Sequence, residues 1–250
     1  MSISVNSSAT GYVLTNISGV PTITQSVSTA SYTPSGDANV FAWFKADAII
    51  GVTSGNAITT WPDSGPNGYT LSCYGGSQNP TWSSAVKNGL PAVVFASASS
   101  QETFTSSTFS SQAQPTTIFL VYKLTDSASG FEQVMGSYGS GTGYAIMDNS
   151  GPASVYAGSY QAGWSFDNNW HIVMVVFNGA SSKYRLDGGA DTSFSGTLGT
   201  DAINSVDLGK NNVSSGYYGG DIGEVVYYSG DQSANEVKIF GYLDGRWAAY

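Results

Sequence analysis

Two stretches of this chain are almost continuously apolar at strand length: Thr116 to Leu124, TTIFLVYKL, and Trp170 to Phe177, WHIVMVVF. A half-exposed strand alternates apolar and polar positions, so runs of this kind predict strands covered on both faces. Shorter β-branched and aromatic runs, Val40 to Lys45, Pro91 to Phe95 and Ile222 to Tyr228, are each flanked by Gly, Asn, Asp or Ser and predict further strands. The period changes once. Val237, Phe240, Leu243 and Trp247 recur at three- and four-residue spacing, with Lys238, Asp244 and Arg246 off that stripe, which predicts one amphipathic helix docked on a sheet. Ser233 and Glu236 stand three apart before it, as in a capping box. Gly241 and Gly245 each cost about 1 kcal/mol relative to Ala inside a helix, so their spacing predicts a face where backbone approaches backbone. The class is all-β with one C-terminal helix.

The segment holding Gly220, Asp221, Ile222, Glu224, Val225, Tyr228, Glu236, Tyr242, Leu243, Arg246 and Trp247 resembles the closing strand and C-terminal helix of concanavalin A-like, laminin-G-like jelly-roll domains. Upstream, VFAWFKADA from Val40 is similar to that family's opening, and Trp61-Pro62-Asp63-Ser64-Gly65 with Asn67 to its second-strand turn. Tyr184 to Gly189 and Leu208-Gly209 resemble its late hairpin and the approach to the last strand. The resemblance runs from about residue 40 to 248. It implies that residues 39–250 form a two-sheet antiparallel jelly-roll sandwich. Ala96-Ser97 replace the family's usual F-[DN]-G, so no sugar or metal contact carries over from that loop.

Residues 1–38 read as an extended N-terminal arm in which Ser, Thr, Val and Ile alternate and Asp37 is the only charge. Such a segment buries too little by itself to offset roughly 1–2 kcal/mol of backbone entropy per residue, so it is expected to need partners. Gly11 to Thr22 resembles a short element of bacteriophage tail-fibre and virion appendage proteins, although Ile17 replaces a usual glycine and Ile23 or Thr24 stands where a Trp is common. The resemblance implies an arm that anchors the chain to other virion proteins. Strand addition onto a neighbour's sheet edge suits its composition, in two stretches, near Tyr12 to Val20 and Thr22 to Tyr32, interrupted by Pro21 and Pro34.

Composition narrows the partners. Only 10% of the residues are charged and the net charge is -9, which removes the basic footprint needed for nucleic acid and disfavours anionic membranes. Apolar residues at 41% allow a sizeable core, while 31 Gly and 16 Tyr fit many short strands and tight turns. Cys73 is the single cysteine, so intrachain disulfides and Cys-based metal sites are excluded. The N-terminus lacks the basic and apolar regions of a signal peptide, and no window reaches the roughly 18 apolar residues of a membrane helix. The expectation is a homo-oligomer made in a host cytoplasm and carried on a virion.

Catalytic chemistry finds few residues. Retaining glycosidases place two carboxylates about 5 Å apart, but Glu102, Glu132, Glu224 and Glu236 are scattered and none has an Asp two positions away. His171 is the single histidine, at the entrance of a core strand, and reads as structural. Asp63, Asp187, Asp191 and Asp221 lie in turns that could converge on calcium, without any D-x-D-x-D-G loop; no cofactor is expected otherwise. Exposed-looking aromatics are the better candidates: Tyr156, Tyr160, Trp164, Tyr217 and Tyr218 could stack on sugar rings, with Glu224 as a ligand-facing acid. The same aromatics suit a protein interface equally. The first reading is a non-enzymatic virion protein, an appendage or a capsid decoration, displaying a lectin-like domain for host-surface glycans. The alternative is a bacterial carbohydrate-binding module or adhesin, and the third a glycan hydrolase.

Overall fold

The computed structural model describes residues 12–17, 20–25, 32–73, 79–96, 102–126, 132–137, 143–148, 151–209 and 217–250. In chain order the strands are β1 (Tyr12–Ile17), β2 (Val20–Gln25), β3 (Val40–Lys45), β4 (Thr60–Trp61), β5 (Leu71–Cys73) and β6 (Thr81–Lys87). Then come β7 (Leu90–Phe95), β8 (Phe104–Thr105), β9 (Thr116–Asp126), β10 (Glu132–Gly136), β11 (Ala145–Asp148) and β12 (Pro152–Tyr156). The last are β13 (Tyr160–Ser165), β14 (Trp170–Phe177), β15 (Lys183–Leu186), β16 (Thr192–Ser193), β17 (Asp207–Leu208) and β18 (Gly219–Ser229), followed by helix α1 (Glu236–Trp247).

Two antiparallel sheets face each other. The front sheet runs β13-β12-β11-β10-β17-β8-β5-β4, and the back sheet β16-β15-β14-β9-β18-β7-β6, with β3 pairing the rest of β18. The two apolar runs, β9 and β14, are neighbours in the middle of the back sheet. Their continuous apolarity has a direct cause. Ile118, Leu120, Tyr122, Val173 and Val175 point into the core between the sheets. Phe119, Val121, Ile172 and Met174 point into a second core roofed by Ile239, Phe240, Leu243 and Trp247 of α1. The all-β sandwich with one helix is therefore the observed architecture. No helix among the described residues is long and apolar enough to cross a membrane.

Strand alternation would place Glu224 on the face of Ile222. Instead the register of β18 shifts between Ile222 and Glu224, an extra residue of the kind that bends a strand and resets its phase. Ile222, Val225 and Tyr227 consequently face the inter-sheet core, while Val226 and Tyr228 face α1. Gly223 sits at the bulge beneath the Trp247 ring, where a Cβ would come within 2.3 Å of Cη2. Glu224 is fully buried. Its Oε1 accepts hydrogen bonds from Trp43 Nε1 at 2.7 Å and the Tyr242 hydroxyl at 3.0 Å, and its Oε2 from Trp247 Nε1 at 2.9 Å and Arg246 Nε at 3.2 Å. Arg246 also reaches Asp47 Oδ2 at 3.0 Å, and Trp247 stacks on Trp170 with centroids 5.5 Å apart.

The helix departs from its sequence pattern in three places. Ser233 to Asn235 form a 3-10 turn with no side-chain cap; the Ser233 hydroxyl donates to Asp231 and Glu236 pairs with Arg185 Nη2 at 2.6 Å. Val237 is 78% exposed, its place on the buried face taken by Ile239. A Cβ on Gly241 or Gly245 would meet nothing within 4 Å, so the close approach belongs to Gly223. In the arm, β1 and β2 pair with each other, with Pro21 opposite Asn16 inside the hairpin rather than interrupting it. The rest of the arm as far as residue 31 lies outside the described residues.

Replacing Glu224 by Ala strands two indole N–H groups, a phenol and a guanidinium beneath α1. Removing one partner of a buried ion pair costs about 3–5 kcal/mol. Urea denaturation of Glu224→Ala should show a loss of that size, with Glu224→Gln between it and wild type; a change below about 1 kcal/mol would refute the assignment.

Candidate functional site

The front sheet ends in the β12–β13 hairpin, and its closing pair is Tyr156 opposite Tyr160. Side chains opposite one another across antiparallel strands touch, and here the rings lie 4.6 Å apart at an interplanar angle of 43°. Tyr160 is 55% exposed and Tyr156 half-buried. Burial pushes the Tyr156 phenol above its usual pKa, and the nearby Asp201 carboxylate and Tyr160 add to the shift.

A second loop is fastened to this tip. The amides of Ala157 and Ser159 donate to Leu198 O at 3.2 and 2.8 Å, and Asp201 N donates to Ala157 O at 3.0 Å. Gln114 holds the loop from behind: its Nε2 donates to Gly199 O at 3.2 Å and Asp201 O at 2.9 Å, and its Oε1 accepts from Gly179 N at 2.7 Å. Two glycines permit the approach. Gly199 has φ +90°, and a Cβ there would sit 2.4 Å from Ala157 O; Gly158 has φ +106°, and a Cβ would sit 3.2 Å from Asp201 Oδ1. Asp201 Oδ2 accepts from Gly143 N at 3.3 Å. The result is a shelf braced by backbone hydrogen bonds, with two tyrosine rings and the Asp201 carboxylate close to their hairpin.

Of the six residues singled out in the sequence, only Tyr156 and Tyr160 come together. Trp164 shares the strand of Tyr160 at an even spacing, but the β12–β13 register shifts between Pro152 and Ser154, and Trp164 turns into the core. There its Nε1 donates to the Tyr122 hydroxyl at 2.7 Å, between Tyr184 and Phe166. Tyr218 is fully buried and its hydroxyl donates to the carbonyls of Lys123 and Asp221. Glu224 lies under α1 on the far side of the back sheet, and Tyr217 is half-buried beside the start of β18. Trp164, Tyr218 and Glu224 thus have no surface to offer a ligand. Asp201 and Gln114 carry no motif; only the Gly199 turn beside Asp201 hints at a close approach.

The four turn aspartates do not converge. Asp63 accepts the amides of Trp43, Gly65 and Tyr69 at 2.8, 2.7 and 3.0 Å and so holds its own turn. Asp191 pairs with Lys183 and Arg185, Asp187 binds His171, and Asp221 lies near Lys123. Among the described residues no three of His, Cys, Asp and Glu are placed to share a metal ion.

No family model matches the chain, and no curated protein does. Solved structures share its fold at low identity. The receptor-binding domain of botulinum neurotoxin type G superposes with a TM-score of 0.57 at 10% identity, over 82% of this chain and 51% of that one. The binding domain of serotype D gives 0.54 at 11%, again over 82% and 51%. The chain therefore spans about half the length of those neurotoxin domains. Domain 4 of the extracellular arabinanase AbnA from Geobacillus stearothermophilus, solved in complex with arabinotriose, gives 0.51 at 14% identity over 81% of this chain and 98% of that one. The shared feature is the fold, a two-sheet antiparallel β-sandwich.

His171 lies at the entrance of β14, on the back sheet, held by two carboxylates. Nδ1 is 2.6 Å from Asp187 Oδ2 and Nε2 is 2.8 Å from Asp167 Oδ1. Carboxylates only accept, so the ring satisfies both as an imidazolium donating from each nitrogen, which leaves no lone pair to activate a serine. The Asp187 hydrogen bond, then that of Asp167, raises the His171 pKa above 6.5 against the opposing effect of burial, and the Tyr122 ring lies 5.9 Å away. The exposed Asp167 is lowered chiefly by its bond to His171. A raised folded pKa gives stability that is full below 6.5 and is lost as pH rises through the folded value; the lowered Asp167 contributes above its unfolded value and is lost as pH falls through the folded one. The midpoint of thermal unfolding should therefore fall as pH rises from 6.5 through the folded His171 value, and His171→Gln should flatten that slope. An unchanged slope in the variant would count against the clamp.

Proposed function

We propose that this chain is a carbohydrate-binding domain, of the module or adhesin type, that takes a saccharide ring on the Tyr156–Tyr160 shelf without reacting with it. The observation that carries the reading is the pair of touching tyrosines, Tyr160 exposed and Tyr156 half-buried, at a hairpin tip that is bonded to the Asp201 loop. A sugar ring has an apolar C–H face that packs on an aromatic plane, while its hydroxyls require acceptors at the edge. Likeness to an arabinanase domain solved with arabinotriose supports the fold as a platform for such a ligand. Binding without turnover is supported by His171, whose ring nitrogens are both engaged, and by Glu224, whose oxygens already accept four donors.

A second reading, a bacteriophage appendage that displays this domain, draws on the resemblance of Gly11 to Thr22 to virion proteins. The self-paired β1–β2 hairpin at that element would be the attachment piece. It concerns where the domain is carried rather than what the shelf does.

Aromatic contacts contribute about 0.5–1.5 kcal/mol beyond the area they bury. Heteronuclear NMR titration with neutral oligosaccharides, arabinotriose among them, should move the Tyr156 and Tyr160 resonances first. Tyr160→Ala should weaken binding about five- to tenfold with unfolding unchanged. Binding that survives Tyr160→Ala and maps elsewhere would overturn the assignment.

A further inference from the structure

The basic side chains among the described residues keep to one side of the sandwich. Among the described residues every Lys and Arg lies on the back sheet or α1: Lys45 on β3, Lys87 on β6, Lys123 on β9, Lys183 and Arg185 on β15, Lys238 and Arg246 on α1. Lys45, Lys183, Arg185, Lys238 and Arg246 are moreover each paired with a carboxylate on their own side. The charged residues on the described strands of the front sheet are Glu132, Asp148 and Asp207, all three buried, and the shelf at its end carries the partly exposed Asp201. The net charge of -9 for the whole chain opposes an approaching anion at long range, and Asp201 adds to this beside the tyrosine pair.

Resting on the saccharide reading above, we infer that the shelf selects uncharged sugars and rejects those bearing carboxylate or sulfate groups. Gln114 and the Gly199 turn hold the Asp201 backbone, and its carboxylate accepts from Gly143 N, which keeps the charge beside the hairpin tip. An ionised carboxylate is acceptor-only. It pairs with the hydroxyl protons of a neutral sugar in charge-assisted bonds, and with a sugar carboxylate it makes only a like-charge contact. Two like unit charges about 4 Å apart near water repel enough to weaken binding several-fold, and the effect fades as salt screens them.

Matched pairs of oligosaccharides that differ in one acidic group test this: galactotriose against trigalacturonate, and lactose against 3′-sialyllactose, titrated onto the full chain at low and at near-physiological salt. The neutral member of each pair should bind about tenfold more tightly at low ionic strength, with the gap narrowing as salt rises. Asp201→Asn, which keeps the hydrogen-bonding shape, should weaken the neutral ligand and shrink the gap, while Tyr160→Ala weakens both members of a pair together. Equal or tighter binding of the acidic members at low salt, with shifts at Tyr156 and Tyr160, overturns the inference and leaves the saccharide site standing. Absence of shifts at those tyrosines with every saccharide overturns both.

Discussion

Everything on the back of this molecule depends on one buried carboxylate. Glu224 sits in the middle of the central strand β18, without solvent, and is tolerated there because four donors from two elements, β3 and α1, meet its two oxygens. An unpaired carboxylate in that position would cost several kcal/mol of desolvation, so the acid fixes the seating of α1 rather than merely adding to its attraction. Trp43 ties it to β3, Tyr242, Arg246 and Trp247 tie it to the helix, and Arg246 carries the network on to Asp47. The second core can close only when those partners are in register. The bulge at Gly223 is the geometric condition for all of it: without the extra residue, Glu224 would face the wrong core.

That arrangement leaves the front sheet with a different task. β9, β14 and β18 spend both faces on packing, one against the front sheet and one against α1. Across the sandwich, the front-sheet hairpin tip β12–β13 is braced by a loop instead of a helix, and its closing tyrosines remain at the surface. Rings at interior positions answer to the core, as Trp164 does by donating to Tyr122. Rings at the tip are held by backbone bonds that make no use of their aromatic faces.

How much of this was legible in the sequence follows from which signals are local. The two central strands declare themselves because burial on both faces removes the polar positions, and the helix because its stripe has a period no strand shares. The turn at Asp63 could be read in place, since its three amide partners include residues within six positions of it. Phase was not legible. Counting along β18 puts Glu224 on the face of Ile222, and Trp164 reads as exposed from its Gly- and Ser-rich surroundings; in both cases a bulge intervenes, after Ile222 and opposite Pro152 to Ser154. A single glycine in a strand, Gly163 or Gly223, is the only local trace of such a shift, and this chain has too many glycines for it to stand out. Asp201 was missed for the opposite reason: its position is set by Gln114, 87 residues away, through bonds to its backbone.

The same distinction separates stability from recognition. Residues whose role is set by the core, such as Glu224, Trp247 and Gly223, have many partners and admit little change. Tyr160 has one aromatic neighbour and open solvent, so the fold places few demands on its identity. The shelf is kept by backbone bonds among Ala157, Ser159, Leu198 and Asp201, which persist whatever side chains it displays. Exposed apolar area that the fold does not require is destabilising or neutral by itself, and this is the physical ground on which the proposed saccharide site rests.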